Sequence, residues 1–559
     1  MFSTKRISIS TILILAFALS ACTPAAIPTP AQNAATPVPG VATTTEVPTV
    51  PAPQTLTVAL ISAPLTLDPA DYRDRNTETV IRNMFDGLNT RSDVSDVYDE
   101  LATAYTWKDD KTLEITLRQG VKFQNGDEMT ADDVVFTYER VITASAIDYP
   151  KPHTAARKGL IAPLDSIEKT GPYTVVMHFS TPFPTAMQML VHQSILPKAY
   201  FEKVGTQGFI AAPIGTGPFQ FVSAEPGYTQ VVMKKFADYW GGASELPPVG
   251  TACVDTVIFK AIPEASTRVA ALLAGDVDII QNVPADSVPI LEKVPGIQVK
   301  TSPGTSIIMM DLNVKQAPFD DVRVRQALNY AIDKDLLISA IYGGKAEAMP
   351  GSLSPHNNYV DKDLQPYPFD AAKATALLTA AGWKDSNGDG ILDKNGKTLS
   401  FTIDTEATYQ DISEAVANQL RAIGIDASVR VWDYGVVAPL ALAGQRMAFL
   451  DSWGDSAFDP VGYMEAKWHS YMANTTYGRG NFSGYNNPQV DKDIERGEST
   501  VDTAARQTIY NDAQQLIYDE APDLFLVLPE VVMAASAKVQ NWTPSADGRT
   551  NLVDVCKTK

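Results

Sequence analysis

The chain has 559 residues, 45% of them apolar and 20% charged, which is enough apolar surface for several packed lobes and excludes a fibrous or wholly disordered protein. Its formal net charge of −20 argues against nucleic acid as a partner, because a phosphate backbone is bound by clustered Lys and Arg.

Lys5 and Arg6 precede an apolar run from Ile7 to Leu19 that closes in Ser20-Ala21-Cys22. A charged start, a short apolar core and small residues at its end predict a secretory signal peptide over 1–21, too short for a stable membrane span. Cys22 directly after Leu-Ser-Ala resembles a bacterial lipobox, in which the cysteine is acylated and becomes the mature N-terminus. Such an anchor holds a protein at the outer face of the cell membrane without crossing it. Residues 22–54 are rich in Pro, Thr, Ala and Val, show no apolar periodicity, and read as a lipid-anchored linker. With Cys22 acylated, Cys253 and Cys556 remain, and in an oxidising exterior such a pair either bridges or stays as two buried thiols.

The folded body is expected to begin near Thr55. Leu56, Val58 and Leu60 alternate as in a half-buried strand, and Leu113, Ile115 and Leu117 do the same ahead of Gln119-Gly120. Thr130-Ala131-Asp132-Asp133 has capping-box spacing before Val134, Val135, Tyr138 and Val141, so a helix starts there. A second follows Pro318, capped by Asp320 or Asp321, with Val324, Ala327, Leu328, Ala331 and Ile332 on one face. A third follows Asp370 and ends at Gly382. Strands interleaved with capped helices, without heptads or repeats, predict an α/β protein of more than one lobe.

Several blocks together resemble the extracellular solute-binding proteins of family 5, the dipeptide, oligopeptide and nickel-binding group. They include Thr66-Leu67-Asp68-Pro69, Leu117 to Phe123, Gly215-Thr216-Gly217-Pro218-Phe219, Asp238 to Gly242, Leu272 to Asp278, Pro318 to Ala327, Ala380 to Trp383 and Tyr485-Asn486-Asn487-Pro488. Their order covers roughly residues 56 to 530. The resemblance implies a periplasmic-binding-protein-like fold of two hinged lobes with an appended third lobe. Mapped here, the first lobe takes 55–90, 211–305 and 516–559, the appended lobe 91–210 and the second lobe 306–515. Cys253 and Cys556 then share one lobe, which allows a bridge between them.

The same resemblance implies a monomeric receptor that encloses a peptide between its lobes and delivers it to the permease and ATPase subunits of an ATP-driven importer. A zwitterionic peptide needs a carboxylate for its amino group and donors for its carboxylate. The segment Asp451 to Pro460 resembles the family's tryptophan and aspartate cleft segment. Counting back from Asp459 puts Ser456 at the amine-binding position, and Asp455 takes that place if the loop holds one extra residue. Asp455 and Asp459 are therefore the candidate carboxylates, and Trp432 and Trp453 the candidate aromatic walls or, equally, core residues.

Neither a cofactor nor a metal is expected. Asp385 to Asp393 starts like a calcium loop, but Gly396 stands where a bidentate Glu is required, so a Gly-rich turn before the Leu399–Ile403 strand is the simpler reading. Enzyme motifs are lacking: the five histidines are scattered, Gly454 to Phe458 misses the final Gly of a nucleophile elbow, and Ile391 replaces the first Gly of a phosphate loop. The competing readings are the same receptor fold with another solute, a metal chelate or an oligosaccharide, and an exported hydrolase.

Overall fold

The computed structural model describes residues 54–93, 96–241, 250–455 and 457–558. The expected signal peptide, Cys22, the linker up to Pro53, and Ser456 lie outside the described residues.

Three larger sheets organise the described chain. A seven-stranded sheet runs in the order 297–302, 531–536, 279–280, 55–60, 256–261, 230–235, 219–224. A six-stranded sheet runs 346–348, 523–529, 306–312, 448–454, 400–406, 426–432. The third is a four-stranded antiparallel sheet in the order 102–109, 112–117, 174–179, 164–171.

The strands of the two alternation patterns behave differently. Thr112–Leu117 buries Leu113, Ile115 and Leu117 and leaves the alternate residues partly or fully open, as a one-faced strand should. Thr55–Leu60 was expected to be half-buried, yet everything from Leu56 to Leu60 is buried. It lies between two parallel neighbours that pair its edges, and Leu56, Val58 and Leu60 pack in one apolar cluster and Ala59 in another, which covers both faces.

Local signals set the helices. Thr130 caps Ala131–Ile142, and the Asp133 carboxylate in return accepts the Thr130 N–H at 2.9 Å. Asp321 caps Val322–Ala331, and Asp370 caps Ala371–Ala380, with Gly382 beyond it at φ 92°, where a side chain would be strained. In the Gly215 to Pro218 turn the glycines serve close packing: a Cβ on either would run into the Met84–Phe85 backbone or ring.

The chain changes from the seven- to the six-stranded sheet at 303–305. Its return falls at Glu530 rather than near 516, because Asp523–Pro529 pairs with Ser306–Leu312 and only Val531–Ser536 joins the first sheet. A disulfide joins Cys253 to Cys556, with their Cα atoms 5.0 Å apart. No helix among the described residues is long and apolar enough to cross a membrane.

Candidate functional site

A cavity of about 560 Å³ opens where three parts of the chain meet. Arg73, from the loop before the helix Arg75–Arg82, contributes on the side of the seven-stranded sheet. Residues between Gly159 and His192, which include Phe183 and Met189, line it beside the four-stranded sheet. Trp453, Asp455, Asp459, Tyr463 and Glu465, with Thr476, Arg479 and Glu498, supply the wall on the six-stranded side.

Asp455 follows the last residue of the strand Ala448–Gly454, and its N–H donates to the Thr305 carbonyl at 2.7 Å, tying the loop to the first inter-sheet crossing. Its side chain is buried. Both carboxylate oxygens accept from the Asn357 amide, at 3.1 and 3.0 Å, and no cation pairs with it among the described residues. Burial drives its carboxyl well above the usual carboxylate range; the Asn357 hydrogen bond opposes the shift and the Asp459 charge adds to it. A buried carboxylate without a cation, at a cavity wall, is the electrostatic complement of a ligand ammonium.

Trp453 lines the same cavity. Phe482 meets its ring edge-on at 6.4 Å, and the Arg479 guanidinium lies 5.2 Å from its centroid. Gly480 makes room for the ring, since a Cβ there would lie 2.5 Å from two of its carbons.

Two expected ligand residues are placed otherwise. Asp459 borders the cavity, but both its oxygens are held by Arg506, at 2.6 and 2.7 Å, in a buried bidentate pair, so its charge is already satisfied. Trp432 does not line the cavity: its indole N–H donates to Asp404 at 2.6 Å and its ring lies between Arg430 and Arg446. Asp451, in the same segment as Asp455, is buried beside Lys467, which donates to Asp311 at 2.6 Å. The Asp385 loop carboxylates accept backbone N–H groups of Gly388 and Gly390, and among the described residues no cluster of His, Cys, Asp and Glu is arranged to hold a metal.

The sequence reading missed Arg73, Arg479, Asn357, Glu465 and Glu498. Burial, with the Glu498 charge next, pushes Glu465 up to about 7, and burial also raises Glu498. None of these residues lies in a motif; each meets the site through tertiary contact.

The model of the bacterial extracellular solute-binding proteins, family 5 Middle, matches residues 96–475. The glutathione-binding protein GsiB of Pectobacterium atrosepticum is 30% identical over 505 residues, covering 87% of this chain and 90% of that protein. The oligopeptide-binding protein AppA of Bacillus subtilis, solved with a nonapeptide, superposes with a TM-score of 0.68 at 28% identity, covering 91% of this chain and 100% of that one. DppA of Helicobacter pylori, solved with the peptide STSA, gives 0.70 at 25% identity, covering 90% and 98%. The fold is thus the two-lobed α/β arrangement of the periplasmic binding proteins.

Proposed function

This chain belongs to the bacterial extracellular solute-binding proteins of family 5, and from that premise we propose that it captures short peptides in the cavity between its lobes and passes them to an importer's permease. It is a binding protein and not an enzyme. In this reading 55–90, 211–305 and 530–559 form the first lobe, 91–210 the appended lobe and 306–529 the second.

The observation that carries the peptide reading is Asp455, buried at the cavity wall with an amide donor and, among the described residues, no cation. A peptide amino terminus supplies the missing charge. The names of the relatives, a glutathione-binding protein and peptide-binding proteins, agree with a short peptide-like ligand. A solute that touches both lobes favours the closed form by its differential affinity, and the permease then reads that form. Cys22 acylation would hold the receptor at the outer membrane face of the cell, beside the importer.

Native mass spectrometry of purified protein, followed by calorimetric titration with trialanine and with glutathione, tests the reading. A retained or titrated peptide mass supports it. A repeating hexose mass, or a metal chelate, with no peptide bound would replace it.

A further inference from the structure

We propose that a second, smaller site lies at the joint between the six- and seven-stranded sheets, where Lys345 and Glu530 hold the two charges of a free apolar α-amino acid. The inference goes beyond the peptide-receptor reading and does not rest on it.

A cavity of about 250 Å³ lies there, less than half the volume of the 560 Å³ cavity, and the two share no lining residue. Three pieces of chain wall it. Val283 and Val288 come from the segment after the strand Ile279–Ile280 of the seven-stranded sheet. Ile341 and Lys345 come from the end of the helix Lys334–Tyr342 and the turn leading into Ala346–Ala348 of the six-stranded sheet. Glu530 and Val532 stand on the return crossing between the sheets. An occupant therefore touches both sheets and the chain that joins them.

The Glu530 N–H donates to the Lys345 carbonyl at 3.0 Å, one position on from the Ala346–Pro529 pair, so the two residues face each other across the ladder. Side chains so placed stand on one face, with Cβ atoms about 5 Å apart. Yet neither forms an ion pair, with the other or with any described residue. The Glu530 carboxylate accepts no hydrogen bond among the described residues, although its Oε2 is buried, and the Lys345 ammonium keeps its donors unspent. A buried acceptor without a donor is costly, and a ligand ammonium removes that cost while a ligand carboxylate takes up the lysine. An α-amino acid carries both charges on one carbon, which matches two opposite charges at facing strand positions; the termini of a long peptide are too far apart. Its side chain then lies against Ile341 and the buried Val283, Val288 and Val532, so burial favours an aliphatic one.

The test uses the whole mature protein, loaded with saturating trialanine so that the larger cavity is filled, and titrates it by calorimetry with L-leucine, leucinamide and N-acetyl-leucine. Leucine should bind the wild type at a single site, and each derivative, which lacks one of the two charges, should bind about tenfold more weakly. Glu530→Gln should lose the distinction between leucine and N-acetyl-leucine, and Lys345→Gln that between leucine and leucinamide. No leucine binding to the wild type at millimolar concentration, or wild-type ratios in both variants, would overturn the site and leave the peptide reading standing. If trialanine does not bind, the peptide reading fails, and leucine titrated into the empty protein decides the site. Leucine binding lost in Glu530→Gln and kept in Asp455→Asn supports it, and binding kept in Glu530→Gln overturns it.

Discussion

Gly304 packs so tightly on the Pro529 carbonyl oxygen that a Cβ at 304 would overlap it. These two residues stand on the two inter-sheet crossings, at 303–305 and beside Glu530, so the two segments that link the sheets are in direct contact. Interfaces this close have discrete packings and do not deform smoothly.

Gly304→Val should therefore force the crossings apart, at a cost of about 1–3 kcal/mol in stability. It should also shift the lobe equilibrium. Small-angle scattering of the wild type should show a smaller radius of gyration with saturating peptide, and the variant should show a reduced change. A full, wild-type change in the variant would mean that these crossings do not act as hinges.

Removing one partner of a buried charge pair leaves the other stranded, at a typical cost of about 2–5 kcal/mol. Asp455→Asn should weaken binding of a free-amine peptide at least tenfold. N-acetylation should weaken binding to the wild type similarly, and the two losses should not add, since both delete one interaction. Calorimetry on the four combinations checks this; additive losses would separate the amine from Asp455.

The raised Asp455 carboxyl gives a pH signature. In the empty protein it holds a proton that the unfolded chain has already released above the ordinary carboxylate value. Its contribution to stability is thus fully present below the unfolded pKa and lost as pH rises through the raised folded one. The thermal midpoint of the empty wild type should fall across that window, and Asp455→Asn should flatten the fall. A ligand ammonium favours the carboxylate, so binding below the raised pKa should expel a proton. Titrations in buffers of different ionisation enthalpy should detect the release in the wild type and not in the variant.

The proposed anchor is checked by Cys22→Ser, which should move the protein from the membrane to the soluble extracytoplasmic fraction. Firm membrane association of the variant would exclude acylation at Cys22 as the tether.

Features decided within a few residues were legible in the sequence. Thr130 and Asp370 cap where their spacing says, and of Asp320 and Asp321 it is Asp321 that caps, because a cap acts on the next turn of its own helix. The family was legible from the order of its blocks, as the match over 96–475 shows. Charges whose partners are distant in sequence were not. Asp459 looked like a ligand residue until Arg506, 47 positions away, was found on it, and Asp455 meets Asn357 from 98 positions away. Aromatic character alone did not separate Trp453, at the cavity, from Trp432, which Asp404 holds elsewhere. The burial of Leu56–Leu60 on both faces depends on distant residues, Val80 and Ile81 in one cluster and Leu272 and Leu291 in the other, which local alternation does not report.

The Cys253–Cys556 bridge has a mechanical consequence. It lies beside the start of the folded body: Gln54 exchanges hydrogen bonds with Asp255, and Lys557 donates to the Thr55 carbonyl at 2.8 Å. The chain therefore enters and leaves through one riveted corner, and all of 306–529 hangs inside a covalent ring closed there. Whatever rearranges inside that ring, the chain ends at Gln54 and Lys557 stay tied to one corner.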